Sequence, residues 1–148
     1  RYVLWRKWDT DKPLIAFIGL NPSTANATTD DPTIRRVVGF AKLWGFGGVC
    51  MLNLFAIVSP DPKVLTTVKD PVGDNDQWLS MFGSLVDTVV FAWGSFKEAK
   101  ERAAIVSKMF PNAICLKKSA AGNPWHPLYV PANVEPIYFN NDEPWRIK

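Results

Sequence analysis

Four short segments hold the residues best suited to chemistry, and each follows an apolar run. Gly19-Leu20-Asn21-Pro22-Ser23-Thr24 offers an amide and two hydroxyls, and Asn53 comes at the end of another run. Gly94-Ser95 follows Val89 to Trp93, and Lys117, Lys118, Asn123 and His126 follow Ala113 to Leu116. Such groups orient water, hydrogen-bond a polar ligand or neutralise its charge. Each also has a plain structural reading. The Asn21 to Thr24 turn can be a strand exit with a helix cap. Asp30, Asp31, Arg35 and Arg36 can be a cap and a solvated helix face. Asn53 is harder to dismiss, because an amide closing an apolar strand must find partners. His126 is the only histidine and sits in a Pro-rich loop. Trp44, Trp78 and Trp145 read as packing rather than as base platforms.

The elements that must position these groups alternate along the chain. Tyr2 to Trp8 reads as a strand, and Asp9 to Pro13 as a polar turn leading to a buried strand, Leu14 to Leu20. Pairing of these two as a hairpin would put the first at a sheet edge. Asp31-Pro32 starts a helix running to Gly45, with Ile34, Val37, Val38, Ala41 and Leu43 as its apolar face. Val49 to Leu54 is the next strand, followed by a Pro- and Asp-rich loop from Ser59 to Asp74. Asp76 to Val86 reads as a helix and Val89 to Trp93 as a strand. Ser95 to Phe110 reads as a helix with Lys97, Glu98, Lys100, Glu101 and Arg102 on its outer face. Ala113 to Leu116 is a last strand before the loop Lys117 to Pro131, and the tail from Asn133 is short and polar. This alternation predicts an α/β domain spanning residues 1–148, with a central, mainly parallel four-stranded sheet and an N-terminal edge strand. Ligands of such sheets bind beyond the carboxyl ends of the strands, which is where the four segments fall.

Composition narrows the class. The chain of 148 residues is 47% hydrophobic and 21% charged, as in an ordinary single globular domain. No segment approaches the roughly 18 apolar residues of a membrane span. No secretory leader is visible either, so the expected setting is the cytoplasm. A net charge of +3 permits a polyanionic partner without demanding one. Cys50 and Cys115 lie in apolar runs and read as reduced core residues. With one histidine, they cannot assemble a typical zinc site, so no metal and no cofactor is expected.

The order of the strand-end motifs resembles the uracil-DNA glycosylase superfamily. Gly19-Leu20-Asn21-Pro22 is similar to the Gly-x-Asn-Pro motif of the mismatch-specific and thymine glycosylases. Met51-Leu52-Asn53-Leu54 lies where those enzymes carry a base-reading Asn. Val89 to Phe96 resembles their Leu-Trp-Gly-Ser-Tyr segment, and His126-Pro127-Leu128 the start of their His-Pro-Ser-Pro-Leu loop. A closer resemblance is to the bacterial and phage family DUF1643. It rests on Leu20 to Ala25, Asp30 to Arg36, Trp44-Gly45, Asn53 to Ala56 and His126 to Tyr129.

The glycosylase resemblance implies a three-layer α/β/α fold and cleavage of an N-glycosidic bond of a base in DNA or a nucleotide. It implies that Asn21 positions the attacking water, that His126 hydrogen-bonds the departing base, and that Asn53 reads the base edge. Phe40 or Phe55 would stack on the base, and Ser23, Thr24, Ser95, Lys118 and Asn123 would hold phosphate or sugar oxygens. The chain departs from that pattern in three places. It has no Asp after Gly19-Leu20, its last loop lacks the second Ser-Pro pair and the wedge insertion, and Asp30-Asp31 with Arg35-Arg36 has no glycosylase counterpart. Asp31 or Asp30 would then supply the missing carboxylate, with Arg35 on a phosphate. The substrate shifts toward a free nucleotide, a single strand or a modified base, handled by a monomer. Two further classes stay open: a non-catalytic nucleic-acid or nucleotide-binding module, and a nucleotide hydrolase or transferase using Asp30/Asp31 with a divalent ion.

Overall fold

The computed structural model describes residues 1–23, 25–26, 28–59, 61–66 and 70–147. Two six-residue apolar segments make its centre. β2 (Leu14–Gly19) and β3 (Gly48–Asn53) pair in parallel, with Leu14 opposite Gly48 and Gly19 opposite Asn53. β4 (Thr88–Phe91) lies parallel on the other side of β2, and β5 (Ile114–Cys115) lies parallel to β4. Both edges are antiparallel: β1 (Leu4–Lys7) pairs with β3, and β6 (Ile137–Tyr138) with β5.

The result is a mixed six-stranded sheet of order β1-β3-β2-β4-β5-β6, larger than the four strands and one edge strand expected. The added strand, β6, comes from the tail that reads as polar and irregular. β1 does lie at an edge, but it forms no hairpin with β2. Trp8 and Asp9 both donate their N–H groups to the Gly47 carbonyl, at 2.9 and 3.0 Å, and Gly47 donates to Pro13 at 2.8 Å. The Asp9 to Pro13 turn is thereby strapped over the start of β3. A Cβ on residue 47 would meet the Asp9 carbonyl at 2.0 Å, so only glycine allows this crossing.

Helices cover both faces, as strands with two apolar faces require. α1 (Pro32–Leu43) starts at Asp31, whose Oδ1 accepts the Ile34 N–H at 2.8 Å, with Pro at its first position. Its Ile34, Val37, Phe40 and Ala41 pack with Phe17, Met51 and Val90. α2 (Asn75–Leu85) and α3 (Lys100–Met109) bring Leu79 and Val106 to the opposite face, against Ala16, Ile18, Leu52 and Phe91. The single helix expected from Ser95 to Phe110 is a 3₁₀ turn, Lys97–Ala99, followed by α3. Arg102 is not on a solvated face; it is only 7% exposed.

Trp44 and Trp145 pack edge to face in the core, at 5.3 Å between centroids, while Trp78 stacks on Tyr2 and Phe82. Cys50 and Cys115 are buried free thiols, each pushed up to about 12 by burial. Among the described residues, no helix is long and apolar enough to cross a membrane.

Candidate active site

The carboxyl ends of β2 and β3, the start of α1 and the His126 loop enclose a cavity of about 330 Å³. Asn21, Ser23, Asp31, Asn53 and His126 all line it, so residues far apart in the chain meet at one place. The parallel register sets Asn53 beside Gly19. A Cβ on Gly19 would lie 2.9 Å from Asn53 Oδ1 and 2.7 Å from Met51 Cε, so the glycine of the Gly-x-Asn turn keeps this space open.

Asn53 is 3% exposed, yet among the described residues no hydrogen bond reaches its side-chain amide. The side chain lines a cavity in which a ligand can supply those partners. Its backbone is held firmly. Asn75 Nδ2 donates to the main-chain carbonyls of Asn53 at 2.6 Å and Leu54 at 2.9 Å, and Arg102 Nε donates to Leu54 at 2.8 Å. Arg102 is paired in turn with Asp76 at 2.5 Å. Sequence reasoning missed Asn75 and Arg102, whose partners lie far away in the chain.

Asn21 has a fastening role. Its Nδ2 donates to the carbonyls of Pro22, Ile57 and Ser59 at 3.2, 3.1 and 3.0 Å, pinning the loop after β3 to the turn after β2. Its Oδ1 accepts no bond among the described residues. Asp31 is also shared: Oδ1 caps α1, and the carboxylate lines the cavity.

The half-buried His126 accepts the Leu128 N–H at Nδ1, at 3.1 Å, which puts the ring proton of the neutral form on Nε2. Burial lowers its pKa from the usual 6.5, and the Asp31 charge opposes that shift. At neutral pH, His126 is therefore an uncharged donor. Its loop is tied to α1 by Arg36, whose Nε donates to Pro127 at 3.2 Å and whose second guanidinium nitrogen donates to Val130. Arg1, Trp93 and Tyr129 also line the cavity; Trp93 and Tyr129 fall inside the segments Val89 to Phe96 and His126 to Tyr129, whereas no motif marks Arg1.

Other expected residues lie elsewhere. Phe40 is buried in the core against Phe17, Trp44 and the Arg36 guanidinium, and Phe55 belongs to the cluster on the opposite face of the sheet. Neither lines the cavity, because helix periodicity and the turn after β3 direct both rings into packing. Asp30 is paired with Arg6 at 2.6 Å, and the exposed Arg35 bonds the Asp30 carbonyl. Lys118 bonds the Phe139 carbonyl and Asp142, which ties the tail to the sheet edge. Ser95 and Asn123 line neighbouring cavities. Thr24 lies outside the described residues.

The chain belongs to DUF1643, a family of proteins of unknown function, whose model matches residues 1–128. That match spans every residue lining the cavity except Tyr129. No curated protein and no solved structure matches the chain.

Proposed function

We propose that the protein is a glycosylase-like enzyme that cleaves an N-glycosidic bond of a base in DNA or a nucleotide. The carrying observation is Asn53: a residue only 3% exposed and held firmly from behind, whose side-chain donor and acceptor have no partner among the described residues and line the cavity, as base-edge reading requires. In this reading the two helix-covered faces form a three-layer α/β/α sandwich of the uracil-DNA glycosylase kind.

The chemistry follows from the neighbours. Water attacks the anomeric carbon as the glycosidic bond breaks, and the bonding pair leaves with the base. Asn53 and the Nε2–H of His126 stabilise the negative charge that builds on the base. Because His126 is neutral, it donates a hydrogen bond without delivering a full proton. Asn21 Oδ1 orients the water, and Asp31, the one carboxylate lining the cavity among the described residues, takes its proton.

The test is incubation with oligonucleotides and nucleotides carrying uracil, mismatched or hypermodified bases, with released base read by mass spectrometry. Release that disappears in Asn53→Ala and His126→Ala is the expected result. A second reading, a non-catalytic base-binding module, is favoured by one observation: the Asn21 amide hydrogens are fully engaged in holding the loop. Ligand binding without base release over the whole panel would select it.

A further inference from the structure

We propose that the Asn53 cavity is one end of a longer cleft that accepts a single-stranded nucleic acid. The inference rests on the reading of that cavity as a base site. Two further cavities continue from it. The first, about 300 Å³, shares His126 and Tyr129 with the base cavity and is completed by Gly94, Ser95, Ser119 and Trp125. The second, about 270 Å³, shares Gly94 and Ser95 with the first and reaches Lys97, Lys100 and Asn123. Shared walls make the three cavities one path from Asn53 to Lys100.

The lining selects the occupant. No carboxylate borders either extension, while Lys97 and Lys100 are exposed and form no salt bridge among the described residues. Ser95, Ser119 and Asn123 add neutral donors along the path. Cations and hydroxyls without a competing acid suit phosphate oxygens. Tyr129 stands where the base cavity meets the first extension, 73% exposed, its ring 5.6 Å from the His126 ring. An exposed ring beside a base site is a stacking platform for the adjacent base. A base cavity, a stacking ring and a basic groove in sequence match one strand with splayed bases. A duplex would have to be opened before any base reached Asn53.

Fluorescence anisotropy of a short labelled oligothymidylate, over a salt series, tests the cleft. The double reversal Lys97→Glu/Lys100→Glu should weaken strand binding at least about tenfold, with the log–log salt slope shallower by about 1.4. Lys97→Gln/Lys100→Gln should shift affinity the same way by less, and Tyr129→Ala should cost about tenfold independently of salt. Binding of a nucleoside panel, followed by saturation-transfer NMR, should be untouched by the lysine changes. The same sequence as a duplex should bind more weakly than the strand. Nucleoside binding together with strand affinity insensitive to both lysine variants would overturn the cleft and leave the base site standing, and tighter duplex binding would do the same. Binding of neither nucleosides nor strand at low salt would remove the base site and the cleft together.

Discussion

The Asn75 side chain donates to the main-chain carbonyl of Asn53 at 2.6 Å, from the helix that packs on the far face of the sheet. The tip of β3 is thus clamped from behind, while the Asn53 side chain in front has no partner among the described residues. Asn75→Ala removes two buried hydrogen bonds and strands the Asn53 carbonyl. It should lower stability by about 2 kcal/mol in urea unfolding. In the folded variant, the Asn53 side-chain amide resonances should broaden or split, since the backbone that aims them has lost its anchor.

Asn53→Ala should behave in the opposite way. The amide has no partner to lose among the described residues, so stability should stay within about 1 kcal/mol of the parent or rise. Base binding and base release should fall together to background. A large loss of stability would mean that Asn53 is a structural residue whose partners form in solution, and the base-reading role would go.

The centre of the fold is legible because its signals are local. Leu14–Gly19 is an uninterrupted apolar run and Gly48–Asn53 is one closed by a single amide, and Asp31-Pro32 is a helix start that the carboxylate cap bears out. The edges are not local. β6 is two residues long and exists only because Ile137 and Tyr138 meet Cys115 and Ile114. Arg102 sits in a charged run that reads as a solvated face, but its acceptor, the Leu54 carbonyl, lies at a strand end that the local sequence cannot bring near. In the site, the polar residues Asn21, Ser23, Asp31, Asn53 and His126 converge, whereas Phe40 and Phe55 do not. Phe40 follows Ile34 and Val37 on the buried stripe of α1, a periodicity that already argues for packing over ligand stacking.

Acid should disable the site through His126. Its pKa lies below 6.5, so the unfolded chain binds a proton there more readily than the native one. The stability contribution is therefore complete above pH 6.5 and is lost as pH falls through the lower native value. Protonation also sets a second N–H against that of Leu128. Base affinity should show an acidic limb below pH 6.5 that His126→Ala removes, measured by titration calorimetry across pH.

Asp31 carries two duties that substitution can separate. Asp31→Asn keeps an oxygen for the Ile34 N–H and should unfold in urea much as the parent does. Asp31→Ala removes the cap and should cost about 1 kcal/mol. Both remove the carboxylate, so both should abolish base release. Full activity in Asp31→Asn would move the proton acceptor elsewhere.

Arg36 has a consequence in time rather than in space. A chain made from its amino end presents β2, α1, β3 and β4 well before the His126 loop emerges. Until then, the two Arg36 donors that will hold Pro127 and Val130 have nothing to hold. His126 thus reaches the cavity after Asn21, Asp31 and Asn53, and its loop is locked down from a helix already in place. In the nascent protein, shape precedes competence.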